Sequence, residues 1–435
     1  SSRFGKDNRY GTFPAFSLGW RLSNENFIKD NLKSLSNLKL RFGWGQTGNQ
    51  EIDNNATKTI YVTNYSGVNP TWTMYDGTAY DITGANSGTL ASGYQMTQRG
   101  NDDLKWETTT QSNIGLDFGF LDQKIYGSAE YYIKKTKDIL ICPSYIAVIG
   151  EGGSHWVNGA SMQNKGVEIL MGVRGNIISG LKFDISGNIS GYRNKVTKLP
   201  EEVIDSYGGD GQGDNILGRP INSAYGYVAD GIFKTQSDLD NHADQTGKGL
   251  GRIRYRDLDN SGTITTADKT WIKNPHPDFI YGLNMNFSYK NFDLSLFFQG
   301  VGKVDVENVQ KYSTDFWSVS ETGSNKGTRL LNAWSASNPD SDIPALTSIN
   351  SNDEGRFSTY FIEDGAYLKL RNAQIGYTLP RAIAEKLKIS NFRIYVSGQN
   401  LFTIKSKSFT GVDPESTEYG YPIPTMLTTG VNVSF

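Results

Sequence analysis

The residues best spaced to do chemistry run from Asp257 to Asp268: Asp257-Leu258-Asp259-Asn260-Ser261-Gly262-Thr263-Ile264-Thr265-Thr266-Ala267-Asp268. Side-chain oxygens fall at the first, third and fifth places, a glycine at the sixth and a carboxylate at the twelfth. An EF-hand loop wraps a hard divalent cation with this spacing, adding a backbone carbonyl at position seven and a direct or water-borne ligand at nine. Asp257, Asp259, Ser261, Thr263, Thr265 and Asp268 are therefore the predicted metal ligands, and three carboxylates favour Ca²⁺. Aspartate closes the loop where glutamate is usual, and serine holds the fifth place. One charge fewer and a shorter reach predict weaker binding than a full EF-hand set gives. The competing reading is an Asp/Asn/Ser/Gly turn whose side chains cap backbone groups. The expected role of the ion is structural, pinning a long loop.

Other candidate constellations are weaker. The three histidines, His155, His242 and His276, lie at metal-ligand spacing neither with one another nor with the lone Cys142, so no zinc site is expected. His276, between Pro275 and Pro277, reads as part of a stiff turn. The carboxylate pairs Glu201–Glu202 and Asp238–Asp240 come without an acid/base setting, so glycosidase chemistry is not expected. No Gly-x-Ser-x-Gly motif is present. Neither Gly208–Gly211 nor the Gly247, Gly249, Gly251 set leads into Gly-Lys-Ser/Thr, so neither is a phosphate loop. Trp72, Trp156, Tyr207, Trp317 and Trp334 could stack on a ligand, but packing between loops is the favoured reading.

The elements that carry these loops show a strict period of two. Tyr281, Leu283, Met285, Phe287 and Tyr289 alternate with Gly282, Asn284, Asn286 and Ser288. Ile114, Leu116, Phe118 and Phe120 alternate in the same way with small and polar residues, as do Leu181, Phe183, Ile185 and Ile189, then Phe392, Ile394 and Val396, and finally Val431, Val433 and Phe435. Such alternation marks strands with one apolar and one polar face. Eleven strands are expected near 11–23, 36–48, 104–120, 124–141, 161–177, 181–197, 279–289, 292–306, 367–379, 391–405 and 427–435. Leu368 and Leu370 are out of phase with Ala373, Ile375 and Tyr377, which predicts a β-bulge near Arg371–Asn372.

Short turns at Leu121-Asp122-Gln123, Ile178-Ser179-Gly180 and Lys290-Asn291 fall on one side. Long connections near 49–102, 141–160, 197–277, 307–364 and 406–426 fall on the other. The alternation suits both a soluble sandwich and a membrane barrel. Strand length, loop asymmetry and aromatics flanking the short turns (Phe120 and Tyr126, Tyr289 and Phe292) favour the barrel. Open strand edges cannot face hydrocarbon, so a barrel requires further strands upstream. The chain opens at Ser1 without a signal peptide, as a loop already in progress, and is expected to be part of a longer protein.

Composition agrees. Of 435 residues, 48 are glycine and 24 tyrosine, which suits many strands joined by turns. Lys and Arg number 43 against 45 Asp and Glu, a formal net charge of -2, which argues against nucleic-acid binding through bulk positive charge. No apolar run is long enough for a helical span. One cysteine excludes an intrachain disulfide.

Several stretches resemble the SusC/RagA family of TonB-dependent outer-membrane transporters of Bacteroidota. They are Ser1–Ser23, Leu38–Asn49 (LKLRFGWGQTGN), Leu104–Phe118 (LKWETTTQSNIGLDF), Asn164–Glu168 (NKGVE) and Phe392–Phe402 (FRIYVSGQNLF), with Phe435 similar to the C-terminal barrel-assembly signal. The resemblance implies an all-β, transmembrane antiparallel β-barrel of 22 strands with an N-terminal plug. Residues 1–435 would form its C-terminal half, with long extracellular loops and without the plug. It further implies import of an oligosaccharide, or a peptide, across the outer membrane. The implied partners are a SusD-like surface lipoprotein and TonB, the latter acting through the missing N-terminal region, together with outer-membrane lipid. No enzymatic activity is expected. The alternatives are a lone TonB-dependent receptor for a metal chelate and a secreted all-β protein that binds or hydrolyses carbohydrate.

Overall fold

A computed structural model of the chain describes all residues except 64–93, 144–153, 202–203, 205–213, 317–325, 348–351 and 419. Its frame is one sheet of 11 strands. They are β1 (Ala15–Arg21), β2 (Leu35–Asn49), β3 (Glu107–Phe120), β4 (Ile125–Ile141), β5 (Val157–Ile178), β6 (Leu181–Lys198), β7 (Phe279–Tyr289), β8 (Phe292–Gly302), β9 (Tyr367–Thr378), β10 (Asn391–Lys405) and β11 (Met426–Ser434). Each is antiparallel to the next in chain order. Among the described residues no helix is long and apolar enough to cross a membrane.

The register fixes which face each side chain takes. One row crosses ten strands through directly paired residues: Trp20, Leu40, Leu116, Ala129, Ile169, Ile189, Tyr281, Gly300, Leu368 and Ile404. The row one residue pair along lies on the opposite face and is mostly polar: Gly19, Arg41, Gly115, Glu130, Glu168, Ser190, Ile280, Val301, Tyr367 and Lys405. The apolar face is widely exposed, at Phe16, Leu18, Phe42, Ile114, Met171, Ile375 and Val431 among others. An apolar surface of that extent is tolerated against lipid and not against water. On the polar face Arg41 bridges Asp117 and Glu130, each at 3.0 Å, and Arg393 holds Asp293 at 2.5 Å.

The expected bulge is present: the pairing of β9 with both neighbours skips Arg371. The tight turns after Phe120, Ile178 and Tyr289 are also present, and Tyr289 and Phe292 lie outward at the end of their hairpin. One flanking aromatic departs from expectation. Tyr126 points to the polar face, where its hydroxyl donates to Asp184 at 2.9 Å. The outward place opposite Phe120 is taken by Ile125. Two connections on the short-turn side carry small helices not foreseen from the alternation, Asn26–Lys29 and Arg381–Lys386.

The long connections build a core of their own. Ile232, Ile253, Tyr255, Ile264, Phe316 and Phe361 form a buried cluster. Short ladders support it: Ala224–Tyr227 with Lys269–Lys273, Ala229–Ile232 with Ile253–Tyr255, and Asp305–Glu307 with Ile362–Asp364. The described parts of the 199–278 and 303–366 connections thus pack as one body on the rim of the sheet, with Tyr312 stacked on Phe361 at 3.8 Å.

Candidate functional site

The 257–268 loop brings the carboxylates of Asp257, Asp259 and Asp268 within 4.8 Å of one another. Two left-handed residues make the bend, Asn260 (φ 58°) and Gly262 (φ 81°). The Gly262 N–H donates to Asp257 Oδ2 at 2.8 Å, and the Ser261 N–H to Asp259 Oδ1 at 2.9 Å. Asp268 is fully buried, and its two oxygens accept from the N–H groups of Leu258 and Thr265, each at 2.7 Å. The closing residue thereby ties the end of the loop to its start.

The other predicted ligands divide. Ser261 Oγ lies 3.0 Å from the Thr263 carbonyl oxygen, to which it donates, so these two oxygens stand together. The Thr265 hydroxyl instead accepts from the Ala267 N–H at 3.1 Å, capping the 3-10 turn Thr266–Asp268. Hydrogen bonds from Ser261 hold the Asp259 carboxyl below the ordinary carboxylate range, which favours the anion. None of the three carboxylates has an ion-pair partner among the described residues, although anions this close repel one another. The donor set is all oxygen and fits a hard cation such as Ca²⁺. The backbone hydrogen bonds equally satisfy a capped turn.

The loop is wired into the body around it. The Asp244 N–H donates to the Gly262 carbonyl and the Ile264 N–H to the Asp244 carbonyl, both at 2.8 Å. Ile264 enters the buried cluster directly. The adjacent Gln245, also buried, donates to the Ile253 carbonyl at 2.8 Å and to Asn352 Oδ1 at 2.7 Å, and accepts from the Tyr255 N–H at 3.0 Å. Glu354 accepts from Arg252 at 2.7 Å and from the Ile253 N–H at 3.1 Å. Burial pushes the Glu354 carboxyl up in spite of that arginine.

Among the described residues, that acidic trio is the grouping of His, Cys, Asp or Glu able to hold a metal. His276 is structural, its Nδ1 2.9 Å from the Tyr192 hydroxyl and its Nε2 3.1 Å from the Ile221 carbonyl. Asp238 caps the helix Gln236–Asp240, and Asp240 accepts from Gln236 at 2.8 Å. Trp156 packs beside the buried Phe4, Ile52, Ala56 and Leu104, and Trp334 beside the loop core. Trp72, Tyr207, Trp317 and the 208–211 glycines lie outside the described residues. A second polar constellation escaped sequence reasoning: Lys369 and Arg371 of β9 meet Asp413 and Glu415 of the last connection.

A single antiparallel sheet that is apolar outside and polar inside, with tight turns at one end and long loops at the other, is the wall of an outer-membrane β-barrel. The family described as "TonB dependent receptor-like, beta-barrel" matches residues 1–401, and the chain belongs to it. Within it the chain is of the SusC/RagA type, a family whose members are transporters rather than enzymes. It is 33% identical over 425 residues to the TonB-dependent receptor SusC of Bacteroides thetaiotaomicron, covering 95% of this chain and 39% of that protein. It is 32% identical over 465 residues to the TonB-dependent receptor P3 of Formosa agariphila, covering 100% of this chain and 43% of the relative. The solved RagAB peptide transporter superposes with a TM-score of 0.79 at 26% identity, over 100% of this chain and 44% of that one. The chain therefore spans less than half the length of the relatives it matches.

Proposed function

We propose that the full-length protein built on this barrel wall imports an oligosaccharide across the outer membrane, driven by TonB. A SusD-like surface lipoprotein would sit over the extracellular loops. The observation that carries this reading is the polar inner face, continuous across the sheet and leading up to a rim of self-packed loops. That arrangement would suit a wet path through lipid and a platform for a partner. Likeness to SusC supports a glycan. Likeness in fold to the RagAB peptide transporter supports a peptide as the second reading.

We further propose that the 257–268 loop takes Ca²⁺ as a structural ion, held by Asp257, Asp259 and Asp268 with Ser261 and the Thr263 carbonyl beside them. Thr265 would join only through water or by giving up its cap. Bound there, the cation would offset the mutual repulsion of the three carboxylates.

Mild-detergent isolation of the full-length protein, read by mass spectrometry, tests the transport reading. A stoichiometric surface lipoprotein supports it and directs ligand screening to glycans and peptides. Recovery of the barrel without a partner overturns the lidded importer and favours a lone receptor, for which metal chelates are the first ligands to try.

A further inference from the structure

The phase change in β9 places two cations side by side on the polar face. Before the bulge Tyr367 and Lys369 point inward, and the skipped residue, Arg371, joins them there. Lys369 is 1% exposed. Its ammonium donates to both oxygens of Asp413 at 2.7 Å and also meets Glu415. The Arg371 guanidinium donates to Gln299 Oε1 at 2.8 Å, reaches Asn400 Oδ1 at 3.4 Å and pairs with Glu415. The Tyr367 hydroxyl donates to Glu415 Oε1 at 2.5 Å. Lys405 of β10, paired opposite Tyr367, contacts the Gly411 carbonyl and lies 5.2 Å over the Phe409 ring.

The two halves of this cluster differ in kind. Every donor sits on a strand of the barrel wall. Both carboxylates sit in the 406–425 connection, whose described residues are anchored at the buried Phe409 and at Thr410, which donates to Glu363 at 2.7 and 2.9 Å, and beyond that anchor carry the isolated bridge Asp413 to Ser416. If that segment moved, the ammonium, the guanidinium fork and the phenol would remain in place around a vacated pair of carboxylate positions. A point charge beside a planar fork is a chemistry suited to carboxylates. Two cations buried without anions are costly, so the arrangement demands that some anion be present.

We propose that Lys369, Arg371 and Tyr367 form a carboxylate-binding site on the lumen wall, that Asp413 and Glu415 fill it as a built-in stand-in, and that an incoming ligand bearing two carboxylates displaces them. The proposal rests on the import reading and deepens it, narrowing the substrate to an acidic one. The stand-in presents its carboxylates two residues apart on a tight turn, Asp413–Ser416, closed by the Ser416 N–H on the Asp413 carbonyl at 3.0 Å. An acidic peptide and a uronate oligosaccharide share that chemistry.

Calorimetry on the full-length protein tests it. The probes are an end-blocked Asp-Pro-Glu-Ser peptide and a uronate trisaccharide, each against its neutral counterpart (Asn-Pro-Gln-Ser and the carboxyl-reduced sugar). At least one acidic probe is expected to bind about tenfold or more tightly than its counterpart, and the identity of that probe names the source of the carboxylates. Asp413→Asn with Glu415→Gln is expected to strengthen that binding, because the competitor is weakened. Adding Lys369→Met to the same background, where no loop carboxylate is left unpaired, is expected to erase the preference. Equal binding of acidic and neutral probes, binding of none, or loss of binding in the Asn/Gln variant would each overturn the site. A lipoprotein that co-purifies while the charge preference is absent sinks this proposal and leaves the import reading standing. Absence of both sinks both.

Discussion

Tyr281 of β7 and Gly300 of β8 are directly paired, and the tyrosine ring fills the space that a side chain at Gly300 would need. The same exchange recurs at Tyr126–Gly172, Tyr132–Gly166 and Tyr395–Gly430. At these four pairs the two residue types act together: rings laid across glycines knit adjacent strands. Gly300→Val should displace Tyr281 and cost about 1–3 kcal/mol. The midpoint of heat-induced unfolding, read as the shift of the folded band on a semi-native gel, should fall. An unchanged midpoint would mean the ring relocates freely.

Calcium should stabilise the loop body. At a hundredfold excess over its dissociation constant, a single bound ion adds about 2.7 kcal/mol. Trypsin cleavage within the 199–278 and 303–366 connections should slow when Ca²⁺ is added. Asp259→Asn should abolish that protection, since the exposed carboxylate contributes charge and little packing. If chelator and Ca²⁺ give the same digestion pattern, the segment is a capped turn and nothing more.

Glu354 joins Arg252 to the Ile253 N–H inside the loop body. Glu354→Ala leaves a buried guanidinium and a backbone donor without their acceptor, an effect of about 3–5 kcal/mol. The damage should stay in the loops. Hydrogen exchange is expected to accelerate at 245–264 and at 352–361 while the strands remain protected. Exchange that rises evenly along the strands would show that loops and wall unfold together.

Acid should loosen the last connection. Burial pushes the Glu415 carboxyl up, but hydrogen bonds from Lys369, Tyr367 and Arg371 outweigh it and hold the group below the ordinary glutamate range. A carboxyl depressed in the folded state stabilises fully above its unfolded pKa of ~4.3 and loses that contribution as pH falls through the lower folded value. Proteolysis of 406–425 by an acid-active protease should therefore be slow at pH 5 and rise sharply below about pH 4. Glu415→Gln should flatten the profile; if it does not, another group controls the release.

The wall was readable in the sequence because lipid on one side and water on the other impose a period of two on every strand. Even the bulge at Arg371 announced itself as a phase error between Leu370 and Ala373. A place beside the turn suggests an interfacial Tyr126, but its pairing with Gly119, out of phase with Phe120, turns it inward to Asp184. The convergence of Asp257, Asp259 and Asp268 was legible because the three are local in the sequence. The body that holds them was not: Gln245 finds Asn352 across 107 residues and Arg252 finds Glu354 across 102, and no periodicity records such meetings. Lys369 was hidden for the same reason, since any polar residue in the inward phase looks alike until its loop partner is known.

The length of β5, 22 residues, has a consequence for the height of the wall. At ~3.3 Å per residue and a tilt near 45°, such a strand rises about 50 Å, roughly twice the ~25 Å apolar band of an outer-membrane barrel. With a tight turn at one end, nearly all of the excess stands on the other. The wall is thus lopsided: it stands well above the hydrocarbon at β5 and β6, 22 and 18 residues long, and falls to about the height of the apolar band at β7 and β8, 11 residues each.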